Sequence, residues 1–220
     1  MLVPVETGAV LPAMFPERRG GERQRLVMRI AKVCCASGEY ACIMQDISRS
    51  GVRLRFFHGH PPDSHMFLDI GNDSVIAVER RWIDGDQAGF RFSSPVDIDD
   101  FLQEQYPLGR RPLRLSIQHP VTLQLDGERS HAVLVNLSAQ GACIEAGRKI
   151  PVGYAMRVEV GGMAGRFAHV CWRKQYRHGL VFQEALSLRD FACLALELQP
   201  FGSAAAVDTR DIPQGNELCA

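Results

Sequence analysis

The 220-residue sequence predicts a mainly β protein built from two tandem copies of one small antiparallel barrel or sandwich, each copy closed by a helix. Three observations carry this expectation. The chain repeats itself with a period of 90 residues. Short β-branched and aromatic runs recur at spacings of roughly ten residues. Each set of runs ends in a helical signal.

The repeat is anchored by the only two tryptophans, Trp82 and Trp172. At the same offset Ser48 matches Ser138, Gly51 matches Gly141, Gly89 matches Gly179 and Phe92 matches Phe182. Asp100-Phe101 matches Asp190-Phe191, and no gap is needed from residue 46 to residue 102. A period of 90 is too long for a solenoid, so each copy is expected to have its own core. The expected boundaries are a flexible segment at 1–16, a first domain at 17–107, a second at 108–200 and a disordered tail at 201–220.

Within a copy, Leu26 to Val33 and Ser116 to Leu125 alternate as strands do. The first copy continues through Val52-Leu54-Phe56, Met66-Leu68-Ile70, Val75 to Trp82 and Phe90-Phe92. The second gives Ala142-Ile144, Met156-Val158-Val160, Phe167 to Trp172 and Leu180-Phe182. Gly71-Asn72-Asp73 and Gly161-Gly162 fall at the same place in each copy and predict hairpin turns. Both tryptophans lie in apolar strand runs and are expected in the core. Helices are predicted from Ser94-Pro95-Val96-Asp97, with Phe101-Leu102 apolar, and from Ser187-Leu188-Arg189-Asp190 through Leu198. Tyr106 to Gly109 is the expected junction.

Composition narrows the function. With 25 basic and 25 acidic residues the chain lacks the positive charge of a dedicated DNA-binding protein. Its apolar runs are far short of the ~20 residues of a membrane span. Met1 to Pro16 lacks a basic residue and makes a poor signal peptide, so a cytoplasmic location is expected. The odd count of 7 cysteines, with no C-x-x-C, predicts buried reduced thiols. His58, His60 and His65 have no cysteine at ligand spacing, so no metal or cofactor is expected. No nucleophile-base set, G-x-S-x-G, H-E-x-x-H or Walker sequence is present, which predicts a protein that is not an enzyme.

Two motifs recur instead. Arg19-x-x-x-Arg23 and Arg110-x-x-x-Arg114 each stand before the first strand of a copy. Asp46-x-Ser48-x-x-Gly51 and Asn136-x-Ser138-x-x-Gly141 follow, 23 residues after Arg23 and 22 after Arg114. Singly, such motifs are a solvated charged stretch and an Asx-type turn. Duplicated in register, they closely resemble the PilZ domain, a bacterial receptor for cyclic di-GMP. Val78 to Trp82 with Gly89 to Phe92, and Cys171-Trp172 with Gly179 to Phe182, resemble that family's closing strands. The resemblance covers residues 17 to 105 and 108 to 198. It implies six-stranded antiparallel barrels, each followed by a C-terminal α-helix.

The resemblance also implies a ligand site at Arg18, Arg19, Arg23, Asp46, Ser48 and Gly51, and a second at Arg110, Arg111, Arg114, Asn136, Ser138 and Gly141. The chemistry suits the ligand. Arginine forks bind guanine O6/N7 edges and phosphate oxygens, and a carboxylate or amide oxygen accepts from the guanine N1-H and N2-H2 edge. The two glycines permit a tight turn or a close approach. In the family an arginine at the place of Arg18 is associated with two stacked ligands; the second copy has Gly109 there.

The expected function is reception of cyclic di-GMP, transmitted when ordering of the arginine segments moves the junction. A downstream protein in motility, biofilm or polysaccharide machinery is the expected partner. The alternative is a nucleotide-independent adaptor acting through protein contacts. A weaker third reading, a barrel for single-stranded nucleic acid, would want exposed aromatics among basic residues.

Overall fold

The computed structural model describes residues 24–71, 75–99 and 112–200, with side chains of the first strand from residue 28 onward. The first copy contains β1 (Gln24–Cys35), β2 (Gly38–Ser48), β3 (Gly51–Phe56), β4 (His65–Asp69), β5 (Val75–Asp84) and β6 (Gln87–Phe92). The second contains β7 (Arg114–Leu125), β8 (Glu128–Ser138), β9 (Gly141–Ala146), β10 (Ala155–Val160), β11 (Arg166–Lys174) and β12 (Arg177–Phe182), followed by α1 (Leu188–Leu198). Each set closes into an antiparallel barrel. The order is β1-β2-β3-β6-β5-β4 in the first, and β7-β8-β9-β12-β11-β10 repeats it.

Alternation decides which face is inside. In β3, Val52, Leu54 and Phe56 are buried while Arg53 and Arg55 point outward. In β10, Met156, Val158 and Val160 do the same. The predicted hairpin turns fall between β4 and β5 and between β10 and β11, where Gly71 and Gly161 take φ of 77° and 55°. Such backbone favours glycine because any Cβ there meets the following carbonyl.

The second predicted helix forms as expected. The Ser187 hydroxyl accepts the Asp190 N–H at 3.1 Å, satisfying one orphan donor of the first turn. Phe191, Leu194 and Leu198 are buried, each contributing about 1.5–3 kcal/mol by leaving water. Of the first predicted helix, residues 98 and 99 are helical. The rest of it, the junction at 106–109, the segment 1–16 and the tail 201–220 lie outside the described residues.

α1 packs on β7 and also on β2 of the other barrel. Tyr40, Cys42 and Met44 fill the first core, whereas Ala41 belongs to the cluster of the second. The Gln199 carboxamide, one residue past α1, clamps the Glu39 backbone: its Oε1 accepts the N–H at 3.2 Å and its Nε2 donates to the carbonyl at 3.0 Å. The Glu39 carboxylate accepts the Ser116 N–H at 2.8 Å and the Lys32 ammonium at 2.9 Å.

The cysteines depart in part from expectation. Cys42 and Cys143 are buried and Cys34 is half-buried, its thiol pushed up to about 12 chiefly by burial. Cys171 and Cys193 are exposed. The rings of His58 and His60 pack edge-on or tilted against Phe56. Among the described residues, no group of three metal-ligating side chains converges. No helix among them is long and apolar enough to cross a membrane.

Candidate functional site

The second motif of each copy occupies the end of one strand and the start of the next. Asp46 and Ser48 end β2 and Gly51 opens β3; Asn136 and Ser138 end β8 and Gly141 opens β9. The Ser48 hydroxyl donates to the Gly51 carbonyl at 3.3 Å, and Ser138 to Gly141 at 3.1 Å. The motif glycines have no positive φ. A Cβ on Gly51 would strike the Phe90 carbonyl oxygen, and one on Gly141 the Leu180 carbonyl oxygen. The role of these glycines is a close approach of the backbones of two neighbouring strands.

Reading across the strands, the motif acid or amide heads a row of cross-strand neighbours. Asp46 faces Arg53, Arg53 faces Gly89, and Gly89 faces Trp82. In the second barrel Asn136 faces Cys143, Cys143 faces Gly179, and Gly179 faces Trp172. A register shift stands beside both ends of each row, between Met44 and Asp46, Arg80 and Trp82, Leu134 and Asn136, and Val170 and Trp172. Such a bulge inserts one residue and turns the following side chain to the other face.

This corrects the expectation that the tryptophans are core residues. Trp82 is 45% exposed and Trp172 42%. Parity with Val78 and Val170 would put both rings inside; the bulge turns them out. Each indole lies over the bare backbone of its facing glycine, in the space a Cβ on Gly89 or Gly179 would fill.

Each row floors a cleft. The first, of about 280 Å³, is lined by Asp46, Ser48, Gly51, Arg53 and Trp82, with Arg81 and Arg91 at its sides. The second, of about 110 Å³, is lined by Arg114, Asn136, Ser138, Gly141, Cys143 and Trp172, with Cys171 and Val181 in the places of Arg81 and Arg91. Asp46 is ion-paired with Arg53. Burial pushes the Cys143 thiol up, while the Arg177 and Arg114 guanidinium groups pull it down.

The structure thus brings Arg114 together with Asn136, Ser138 and Gly141 around one cleft. Arg18, Arg19, Arg23, Arg110 and Arg111 lie outside the described residues. Motif reading missed the two tryptophans as site residues, together with Arg53, Arg81 and Arg91. The signal was the identical Gly-Trp pairing at the same offset in both copies.

The PilZ domain family model matches residues 17–105 and again residues 109–197. No curated protein matches the chain. Similar solved structures include PlzA of Borreliella burgdorferi in complex with c-di-GMP, 13% identical, covering 82% of this chain and 94% of that one at a TM-score of 0.33. YcgR of Escherichia coli in complex with c-di-GMP is 14% identical, covering 77% and 80% at a TM-score of 0.32. The Bacillus subtilis inhibitor of motility, MotI/DgrA, is 11% identical, covering 77% and 91% at 0.33. With the family model matched twice, on two barrels that each carry their own motif cleft, the chain belongs to the PilZ domain family and contains two tandem copies of the domain.

Proposed function

We propose that the chain is a receptor for cyclic di-GMP with one cleft on each barrel. The observation that carries this reading is the duplicated row of motif acid or amide, bare glycine and half-exposed tryptophan. A base lying on the indole face gains stacking energy, about 1–3 kcal/mol for an aromatic platform. Asn136 offers its amide oxygen to the guanine N1-H and N2-H2 edge, and Arg114 offers a fork to O6/N7 or to phosphate. In the first cleft Asp46 reaches a guanine only while sharing its carboxylate with Arg53. The remaining candidate arginines, Arg18, Arg19, Arg23, Arg110 and Arg111, close over the ligand from the segment before each barrel. Ordering of those segments converts binding into a change at the junction.

Calorimetry with cyclic di-GMP on the full chain, read together with tryptophan fluorescence, tests this. Heat and quenching at micromolar ligand support it. Their absence favours the nucleotide-independent adaptor.

A further inference from the structure

The two clefts share their strand arrangement and differ in charge at four matched lining positions. The Asp46–Arg53 ion pair in the first stands where the second has the neutral pair Asn136 and Cys143, so that exchange leaves the net charge unaltered. The difference lies at the rim. Arg81 and Arg91 line the first cleft, and Cys171 and Val181 take their places in the second. Both arginines are exposed. Arg91 stands opposite the motif glycine Gly51, and Arg81 is the bulge residue beside Trp82. Glu79 holds Arg81 at 3.0 Å from outside the cleft lining, with both side chains over 40% exposed. Exposed pairs of this kind are weak and exchange readily for another anion.

We propose that Arg81 and Arg91 let the first cleft accept added ligand charge, so that it takes a linear, ring-opened guanine dinucleotide as well as the cyclic one, while the second cleft takes the cyclic form alone. The inference rests on the receptor reading above. Opening one phosphodiester of the ring with water leaves the same two guanines and one bridging phosphate. It converts the other phosphate into a terminal monoester, whose second ionisation near neutral pH adds about one negative charge. Two guanidinium groups at the rim offset that charge in the first cleft. In the second, Cys171 and Val181 offer none, and Arg114 is the one cation in the described lining.

Each cleft has a reporter of its own. A Trp172→Phe chain keeps Trp82 as its sole tryptophan, so its quenching reads the first cleft. In the unaltered chain, exposed Cys171 lies in the second cleft, and its alkylation by iodoacetamide, followed by peptide mass, reads occupancy there. Exposed Cys193 on α1 lines neither cleft and serves as the unprotected reference. Cyclic di-GMP and the linear dinucleotide are each titrated into the full chain. The expected result is that both quench Trp82 with affinities within about tenfold, and that the cyclic form alone protects Cys171. Arg81→Cys with Arg91→Val, which copies the second rim, is expected to weaken the linear ligand at the first cleft by about tenfold or more and the cyclic one less. Arg91→Gln alone gives the same direction should the double variant melt early. Equal protection of Cys171 by the linear ligand, or an unchanged linear affinity in both rim variants, overturns the proposal. If neither ligand quenches Trp82 or protects Cys171, the receptor reading itself fails.

Discussion

At Gly89 and Gly179 the missing side chain is a functional group. The indole of the facing tryptophan occupies the volume a Cβ would need, and the ring lines the cleft. Gly179→Ala is expected to tilt Trp172 into solvent, shift its emission to the red and abolish quenching at the second cleft while the first still responds. Gly141→Ala acts differently: its Cβ meets the Leu180 carbonyl, a backbone atom that cannot swing away. The strands must part, at a cost of about 1–3 kcal/mol, visible as a lower melting temperature without ligand. Arg114→Ala is expected to leave that temperature alone and weaken the second cleft by about 1.5–3 kcal/mol, the worth of a hydrogen bond to a charged group. His178 is fully buried, and its Nε2 accepts the Ile150 N–H at 2.9 Å, which fixes the neutral ring. Burial holds its pKa below the ordinary 6.5. The unfolded chain therefore binds the proton first, and stability present above about pH 6.5 is lost as pH falls toward the lowered value. His178→Gln keeps an acceptor without titrating. Its melting temperature should fall less than that of the unaltered chain between pH 7 and pH 5.

Strands, turns and caps were legible in sequence to different degrees. β3, β4 and β10 alternate cleanly because one face meets the core and the other meets solvent, and their periods stand out. β2 does not alternate: Tyr40 to Met44 are buried in succession, since one face fills the first barrel and Ala41 joins the core of the second. No local pattern announces a strand buried on both faces. The helix α1 was legible through its cap, and Ser187→Ala is expected to cost about 1 kcal/mol in thermal unfolding by leaving the Asp190 N–H without its acceptor. The bulges were the illegible part. Parity counted from Val78 or Val170 gives the wrong face for each tryptophan because one inserted residue leaves no compositional mark. The motifs located the clefts, whereas the indoles and rim arginines that complete them depend on cross-strand register.

Across the whole molecule, the barrels meet where the second cleft begins. Ser116 stands opposite Asn136 on the neighbouring strand and is two residues past Arg114. Its N–H is held by the Glu39 carboxylate of the other barrel, which Lys32 also holds. Lys32 is anchored in turn beside Asp69, with an N–O distance of 3.7 Å. The carboxylate thus ties the strand carrying Arg114 to the first barrel, next to the Glu39 backbone that Gln199 clamps at the end of α1. A ligand that draws Arg114 toward its phosphates must work with or against that tie. Glu39→Ala removes the acceptor and leaves the Gln199 clamp, which uses backbone atoms of residue 39. Losing a charged acceptor of this kind is worth about 1–3 kcal/mol. The tie enters the second barrel at β7, and its first-barrel end at Lys32 and Asp69 lines neither cleft, so the change should appear as an altered ligand protection of Cys171, with Trp82 quenching unchanged. Small-angle scattering should show the free Glu39→Ala chain with a larger radius of gyration than the unaltered one. An unaltered radius together with unaltered Cys171 protection would mean that Glu39 only fills the interface and that the two clefts work independently.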